Sequence, residues 1–354
     1  MTRPLLSNIQ LLRLIAAAAV LLSHGADLFL PDDSSVWAVP WTAGVDIFFV
    51  ISGFVMVYLT HGQFGRRGAA GTFVVRRLLR IAPPYWLFTT LMVATVLLFG
   101  EHVRNTSLSP DIVVTSYAFV PWPRADGSLH PLLSQGWTLN YEAFFYLAFA
   151  AALPFRRGLA WLSAGFAVLI ILHAWLPEQW FMLYFWSQPM IIEFIAGIGL
   201  GLLFLRGIRL PLWGSVALAV AALALLMAVV RIGDTIAFVR PISFGVPALL
   251  LCASLALAPE PHHLPRWRRW LVAGGDASYT LYLSHTFTIN AALLAWQRLG
   301  GTEPWLGLAL AMTGALAAAL LLYRWVERPM VDALQRRFAR PPGDRTRDAP
   351  RRLR

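Results

Sequence analysis

RLIAAAAVLLSH (residues 13–24) lies within the first long apolar run of the chain, residues 8–28. A run of this length forms a helix that can cross a bilayer. Arg13 and His24 are separated by about three helical turns, so they share one face and lie about 16 Å apart along the axis. The stretch therefore predicts a membrane helix with ionisable side chains on an inward face. Alternatively, Arg13 extends to the inner interface and His24 ends the helix at the outer one.

The composition extends this prediction to the whole chain. Hydrophobic residues make up 58% of the 354 positions and charged residues 13%, which is about half the charged fraction of a soluble domain. We therefore expect an all-α polytopic membrane protein with about ten transmembrane helices. The apolar runs that support this number are 8–28, 41–60, 83–100, 134–153, 158–176, 187–205, 211–230, 241–258, 272–297 and 304–323.

The positive charges indicate the orientation. All 29 basic residues are arginines, and threading ten spans from an inner N-terminus puts 23 of them inside and five outside, with Arg13 left within a span. This asymmetry follows the positive-inside rule and predicts that both termini are cytoplasmic. Residues 1–330 would form the transmembrane domain, with a retained first helix rather than a cleaved signal peptide. Residues 331–354 would form a basic, disordered cytoplasmic tail.

Other classes of site find little support. Cys252 is the only cysteine, so neither a disulfide framework nor a thiolate metal site is expected. The adjacent histidines of HHLPRWRRW (residues 262–270) lack further ligands, and we predict no metal. The basic tail suits anionic lipid headgroups, and we expect no nucleic-acid partner.

Ionisable side chains within a bilayer need a cavity or a partner. They occur on the first, second, fourth, sixth and ninth predicted spans, and we expect these five spans to build a polar interior. The residues concerned are Arg13, His24, Asp46, Glu142, Glu193, Asp276 and His285.

The segment WTLNYEAFFYLAF (residues 137–149) carries Glu142, with Tyr146 one turn further on the same face. A buried carboxylate needs a partner, and His24 is expected at a similar depth. A purely structural ion pair is the alternative.

In GVDIFFVISGF (residues 44–54), Asp46 is expected to be a wetted residue near the outer end of its span. Ser52 and Gly53 of the same segment are expected to allow close helix packing rather than to do chemistry.

Two further patterns carry polar side chains. Arg77 and Arg80 in RRLLRIAPPYW (residues 76–86) are three residues apart, so they share a face and could hold phosphate, although such patches often only fix topology. Ser278, Tyr282 and His285 form an inward stripe on the ninth span, for which hydrogen bonding to a neighbouring helix is the structural alternative.

Taken together and in order, five segments resemble the membrane acyltransferase-3 family. They are LLRLIAAAAVLLSH, GVDIFFVISGFVM, RRLLRIAPPYW, WTLNYEAFFY and SYTLYLSH, and they cover nearly the whole membrane part. The chain length and NIQLLR (residues 8–13) are most similar to the branch that acetylates bacterial exopolysaccharides. Leu14 departs from the family pattern, which usually has glycine there, and this puts local packing in question.

The resemblance implies an O-acyltransferase of the bacterial cytoplasmic (inner) membrane. It would transfer an acyl group, commonly acetyl from cytoplasmic acetyl-CoA, to a hydroxyl of an envelope or exported glycan or of a lipid-linked sugar. By motif, Arg13 and His24 match the essential arginine and histidine of the family, and Glu142 matches its acidic position. Arg77 and Arg80 match the arginine pair assigned to acyl-CoA.

In this scheme His24 is the general base on the acceptor hydroxyl, and Glu142 orients its ring. Asp46, Tyr146, Ser278, Tyr282 and His285 would support the substrate site. A proton-coupled transporter of a small molecule would also have ten spans with buried charges, but repeated halves are not evident. A non-catalytic subunit of a polysaccharide exporter is a third reading. The sequence leaves assembly into a homo-oligomer open.

Overall fold

The computed structural model describes residues 6–31, 40–100, 108–232, 240–261 and 263–338. This part of the chain is helical, and it contains no β-strand. The predicted all-α class is therefore confirmed. Arg104 and the termini, which entered the charge count, lie outside the described residues.

Fourteen α-helices follow one another in the described ranges. They are α1 (Ser7–Phe29), α2 (Gly44–Thr60), α3 (Ala69–Phe99), α4 (Pro110–Tyr117), α5 (Trp137–Ala152), α6 (Gly158–His173), α7 (Phe181–Trp186), α8 (Ile192–Leu205), α9 (Leu212–Ile232), α10 (Val246–Ala256), α11 (Arg266–Asp276), α12 (Ser278–Arg298), α13 (Pro304–Leu322) and α14 (Arg328–Phe338). Single 3₁₀ turns lead into α2, α5 and α8, and π-helical turns at 241–245 and 323–327 lead into α10 and α14.

Five helical segments are long and apolar enough to cross a membrane. They are Ser7–Phe29, Trp41–Thr60, Ala69–Phe99, Leu212–Val229 and Pro304–Phe338. The remaining predicted segments also contain helices, three of them apolar helices of 10–17 residues. The number of ten spans and the cytoplasmic termini stay predictions.

Several predicted boundaries differ from the structure. The third segment was expected to begin at residue 83, but α3 begins at Ala69. The ninth segment was expected to be one helix, but it is broken at Ala277 into α11 and α12. The expected tail from residue 331 begins inside α14, which continues to Phe338, and residues 339–354 lie outside the described part.

Helix α1 lies at the centre of the bundle, in contact with α2, α10, α11, α12 and α13. Its first turn has backbone N–H groups without helical partners, and the Glu260 carboxylate accepts hydrogen bonds from two of them, at 3.1 Å each from Ser7 N and Asn8 N. A negative charge at a helix N-terminus is also favoured by the helix dipole. This cap fixes the helix that carries Arg13 and His24.

Helices α2 and α8 pack closely against each other. A Cβ atom on Gly53 would lie 2.1 Å from the carbonyl oxygen of Phe194, and one on Gly197 would lie 2.1 Å from that of Val50. Only glycine allows the two backbones to approach this closely. The packing role expected for Gly53 is confirmed.

Candidate active site

One slender cavity of about 280 Å³ runs between α1, α2, α3, α5 and α12. Along α2 its wall extends from Leu59 to Val45, which are about 21 Å apart on the helix axis. Because a hydrocarbon core is about 30 Å thick, a cavity of this length covers most of the depth of a bilayer.

Seven of the ten residues that the sequence pointed to line this cavity. They are Arg13, Arg77, Arg80, Glu142, Tyr146, Ser278 and Tyr282. The other three, His24, Asp46 and His285, lie elsewhere. The five helices also differ from the expected set, since α3 lines the cavity and α8, which carries Glu193, does not. Glu193 is instead buried beside Asp46, on a face that helical periodicity alone could not assign.

Arg13 is held on the cavity wall by a neighbouring helix. Its Nε donates a hydrogen bond to Ser278 Oγ at 3.2 Å. The approach of α11 to α1 depends on two glycines, because a Cβ on Gly275 would lie 2.0 Å from the carbonyl oxygen of Gln10 and one on Gly274 would lie 2.9 Å from the Leu14 side chain. Gly274 thus leaves room for Leu14, the residue that departs from the family pattern.

Arg77 and Arg80 reach the cavity from α3. The Arg77 guanidinium lies 5.8 Å from the ring centroids of both Phe73 and Tyr146, so the two aromatic faces flank it. The neighbouring Arg76 is exposed and does not line the cavity. The three-residue spacing therefore brings Arg77 and Arg80 to one side, as the sequence predicted.

Within the described ranges, none of Arg13, Arg77 and Arg80 has a carboxylate oxygen within 4 Å. Three positive charges in an apolar bundle carry a large desolvation cost unless an anion or water neutralises them. Glu327, Asp276 and Glu142 offset part of this cost for Arg13 from beyond 4 Å, and an anionic ligand would offset it directly.

Glu142 faces the same cavity. It accepts hydrogen bonds from the Tyr146 hydroxyl and from Ser52 Oγ, the latter at 3.3 Å. The expected pairing with His24 is therefore wrong, because these contacts join α5 to α2 rather than to α1. Ser52, which was expected only to allow packing, lines the cavity and contacts its acidic residue.

Tyr282 lines the cavity beside the start of α5. Its hydroxyl lies 2.8 Å from Thr138 Oγ1 and donates to the carbonyl oxygen of Gln135 at 2.9 Å. Gln135 in turn donates to the carbonyl oxygen of Leu283 at 3.0 Å. These bonds fix α12 against the start of α5.

His24 and His285 form a pair beyond Tyr282. Their rings stack with centroids 5.1 Å apart and an angle of 27° between the planes. His285 is buried at 1% exposure, and its Nδ1 lies 2.6 Å from the carbonyl oxygen of Tyr282, to which it donates. The His24 side chain is 48% exposed, and its Nδ1 lies 3.9 Å from Asp27 Oδ2.

The predicted site thus falls into two parts joined by α12. Ser278 contacts Arg13 in the cavity, Tyr282 lines the cavity, and the Tyr282 ring lies 5.9 Å from that of His285. Ser278 and His285 are about 10 Å apart along the helix.

Asp46 belongs to a separate buried cluster. It is completely buried, and its Oδ2 lies 2.8 Å from Arg240 Nη2. Glu193 lies beside it at 1% exposure, and Arg240 also packs over the Phe244 ring. Asp46 was expected to be a wetted residue near the interface, and this is wrong. Its partner Arg240 comes from a distant part of the chain, so no local pattern indicated the pair.

Sequence reasoning missed Gln135, Thr138 and Tyr279. Tyr279 lines the cavity and donates to the carbonyl oxygen of Ile81 at 2.7 Å. Thr138 lies in the first turn of α5, only four residues before Glu142, and this helical spacing could have indicated it.

Polar contacts join α4 to the segment between α4 and α5. Trp122 Nε1 donates to Asp111 Oδ2 at 2.7 Å, and the nearby Ser109 together with this bond holds the pKa of Asp111 below its ordinary value. Burial, helped by the nearby Arg124, lowers the pKa of His130. The hydrogen bond to Asp111 thus fixes the Trp122 side chain against α4.

Comparisons with known proteins agree with this site. A family model described as an acyltransferase domain matches residues 6–324. The exopolysaccharide production protein ExoZ of Rhizobium meliloti (strain 1021) is 34% identical over 293 residues, which cover 82% of this chain and 89% of that protein.

Two more distant relatives match at 26% identity. Nodulation protein 10 of Rhizobium leguminosarum bv. viciae matches over 355 residues, which are 91% of this chain and 92% of that protein. YrhL of Bacillus subtilis (strain 168), whose name gives peptidoglycan O-acetyltransferase as a proposed activity, matches over 340 residues, 86% of this chain and 52% of that protein.

No solved structure matches the chain significantly. The family match covers nearly all described residues and includes every residue that lines the cavity. This excludes the transporter alternative in favour of the enzyme. The chain is an acyltransferase of the membrane and belongs to the acyltransferase-3 family.

Proposed function

We propose that the protein is an O-acyltransferase of the bacterial inner membrane, which moves an acetyl group from cytoplasmic acetyl-CoA to a hydroxyl of an exported glycan. The ten-span topology with cytoplasmic termini belongs to the same proposal. In that topology the cavity is entered near Leu59 from the cytoplasm, and His24 lies toward the outer surface.

The observation that carries the proposal is the group of three arginines in one cavity, none of which forms a direct ion pair with a carboxylate of the described residues. Coenzyme A is polyanionic, and arginines bind phosphate oxygens in bidentate geometry. Arg77 and Arg80 would bind the phosphates, and Arg13 would extend the positive charge along the path of the pantetheine arm. Glu142, Glu327 and Asp276 act on these arginines only from beyond direct pairing distance, so the phosphates would be their first directly bonded anionic partners.

Glu142 has a different role from the one that its motif suggested. Its bond from Tyr146 holds that ring beside the Arg77 guanidinium, and its bond from Ser52 links the group to α2. We assign Glu142 to the positioning of the donor site rather than to His24.

His24 is the general base in the proposed reaction. The acceptor hydroxyl oxygen attacks the thioester carbonyl carbon and passes its proton to His24, and the C–S bond breaks as the CoA thiolate leaves. His24 then returns the proton to the thiolate. Histidine suits this exchange because its ordinary pKa lies near neutrality. Direct transfer without an acyl-enzyme is favoured, since no serine or cysteine in the described part of the chain hydrogen-bonds to His24.

The acceptor class rests on the relatives. ExoZ is named for exopolysaccharide production and YrhL for peptidoglycan O-acetylation, and both names imply a glycan outside the cytoplasm. The half-exposed His24 at the end of the α1 apolar stretch is accessible to such an acceptor.

The test is an acetyl-transfer assay with purified protein in nanodiscs, acetyl-CoA labelled in the acetyl group and alkali-deacetylated exopolysaccharide of the producing cell. The wild type is expected to label the polysaccharide, and His24→Ala is expected not to. His61→Ala is the matched control, because His61 is an exposed histidine that follows the last residue of α2 and does not line the cavity. Absence of transfer by the wild type, or full transfer by His24→Ala, would contradict the proposal.

A further inference from the structure

The ring of His24 is in contact with a ring from another helix. His285 of α12 stacks on it, with centroids 5.1 Å apart and 27° between the planes. Asp27, one turn further along α1, lies 3.9 Å from His24 Nδ1, which is beyond hydrogen-bond distance, and both side chains are about half exposed. In the part of the chain that the structure describes, no hydrogen bond holds the His24 ring, so the stack is what orients it.

His285 is itself held firmly. Its side chain is buried at 1% exposure, and its Nδ1 donates to the carbonyl oxygen of Tyr282 at 2.6 Å. Residues just before and just after it on α12 are tied to the segment that leads into α5. Gln135 Nε2 donates to the carbonyl oxygen of Leu283 at 3.0 Å and to Thr286 Oγ1 at 3.1 Å. A buried ring on an anchored turn of helix has little freedom to rotate.

The hydrogen bond also fixes the chemical state of His285. With the proton on Nδ1, Nε2 carries a lone pair, and this atom is buried without a hydrogen-bond partner among the described residues. A second proton on this ring would place an uncompensated charge in the protein interior. His285 therefore stays neutral while His24 gains and loses a proton, and it presents an aromatic face to His24 in both states.

Resting on the proposed role of His24 as the general base, we infer that His285 is a positioning residue that orients His24 by ring stacking. Sequence reasoning gave this role to Glu142, whose carboxylate accepts hydrogen bonds from Tyr146 and Ser52 instead. A base that rotates freely points its lone pair at the acceptor hydroxyl for only part of the time, and small misplacements lower the rate steeply. The stack keeps the His24 ring in one plane, while about half of its side chain stays accessible to an acceptor.

Stacking needs the aromatic face of His285 but not its nitrogen atoms. Phenylalanine has a ring of similar size without nitrogen. Asparagine has no ring, but it keeps a donor for the carbonyl oxygen of Tyr282. His285→Phe and His285→Asn therefore separate orientation by stacking from a role of the hydrogen bond or of the buried lone pair.

The experiment measures acetyl transfer to deacetylated polysaccharide by the purified variants in nanodiscs, together with equilibrium binding of CoA. His285→Asn is expected to lower kcat about tenfold to a hundredfold with CoA affinity unchanged, because the base is present but no longer oriented. His285→Phe is expected to keep most of the kcat that His285→Asn loses. His285→Leu fills the same space without a ring. It is expected to behave like His285→Asn and covers the case in which that variant does not fold.

His173→Asn is the matched control. His173 ends α6, its ring centroid lies 4.5 Å from that of Tyr184, and its Nδ1 lies 2.7 Å from Ser187 Oγ. It does not line the cavity, and α6 packs against α5 and α8. The variant thus removes a ring contact and a hydrogen bond of the same kind elsewhere in the bundle, and it is expected to keep the kcat of the wild type.

Equal kcat in the wild type and His285→Asn would overturn this inference and leave the proposed function intact. The same holds if His285→Phe is as slow as His285→Asn, because a nitrogen atom would then be required. Equal losses of kcat in His285→Asn and His173→Asn would also overturn the inference alone. Full transfer by His24→Ala would overturn the proposed general base and this inference together.

Discussion

Single side chains decide how the cavity can work. Arg13, Arg77 and Arg80 bring three positive charges to one wall, and the described carboxylates stay beyond 4 Å from each of them. Glu142, Glu327 and Asp276 offset part of this charge from a distance, and in the proposed function the donor phosphates supply the direct partners.

Arg77→Gln or Arg80→Gln is expected to weaken acyl-CoA binding by about tenfold to a hundredfold, which corresponds to the 1.5–3 kcal/mol of a charged hydrogen bond. Arg76→Gln is the matched control, because Arg76 has the same charge on the same helix and is exposed. Equilibrium binding of CoA to the purified variants measures the difference. Equal loss of affinity in all three variants would show that only general charge matters.

His24→Gln is expected to lower kcat by about a hundredfold to ten-thousandfold, the usual contribution of a general base, while CoA binding stays unchanged. The reason is that His24 lies outside the cavity that holds the arginines. Steady-state kinetics together with binding separate the two effects. A variant with normal kcat and weakened binding would move His24 from proton transfer to donor recognition.

For single side chains, the sequence predicted the relations that are local in the chain. Helical spacing correctly brought Arg77 and Arg80 to one face, because that relation is local. It also placed Tyr146 beside Glu142. It did not find Ser52 and Arg240, the partners of Glu142 and Asp46 from distant parts of the chain. Which faces of two distant helices meet is decided by packing of the whole bundle, and a periodic pattern does not contain this information.

Among the helices, the contact of α2 with α8 positions the cavity wall. Gly53→Ala is expected to lower the thermal unfolding temperature of the protein, because the added Cβ would lie 2.1 Å from a backbone oxygen and the helices must separate. Overpacking of this kind typically costs about 1–3 kcal/mol. Gly199→Ala in α8 is the control, since its Cβ would meet nothing within 4 Å and a helical alanine is favoured over glycine.

A fall in unfolding temperature of the same size for both glycine variants would contradict this account of the contact. Sequence reasoning predicted the packing role of Gly53 from its small size next to apolar residues. It did not predict Gly197 as the partner, because small residues occur on several helices.

Arg240→Ala is expected to destabilise the protein by about 3–5 kcal/mol, since it leaves the fully buried Asp46 without its charge partner. Arg328→Ala breaks an exposed pair with Asp332 at 3.8 Å and should change stability by less than about 1 kcal/mol. Chemical denaturation of both variants in the same detergent measures the contrast. Equal effects would mean that the buried pair does not link α2 to the segment before α10.

At the scale of the whole molecule, the fold is a bundle around a cavity that covers most of the bilayer depth. Composition and arginine asymmetry predicted the helical membrane class, because apolar length and charge are properties of each segment alone. The distribution of ionisable residues predicted that α8 lines the polar interior and that α3 does not. In the structure α3 lines the cavity and α8 does not. The cavity is formed by five helices together, so no single segment carries its signature.

The orientation that the arginine distribution predicts can be measured by cysteine labelling. In a Cys252→Ser background, Asp126→Cys in the outer loop is expected to react with an impermeant maleimide in intact cells. Arg67→Cys, which lies before α3, should react only after permeabilisation. Labelling of Arg67→Cys in intact cells would show that the orientation is opposite to the proposed one. The direction of transfer would then be reversed as well.

The most direct test of the central claim is sided acetyl transfer in proteoliposomes of known orientation. Labelled acetyl-CoA is supplied only on the side of Arg77 and Arg80, and deacetylated polysaccharide only on the side of His24. We predict labelled polysaccharide on the His24 side, and its loss in His24→Ala. Product formed only when donor and acceptor share one side would contradict transfer through the cavity.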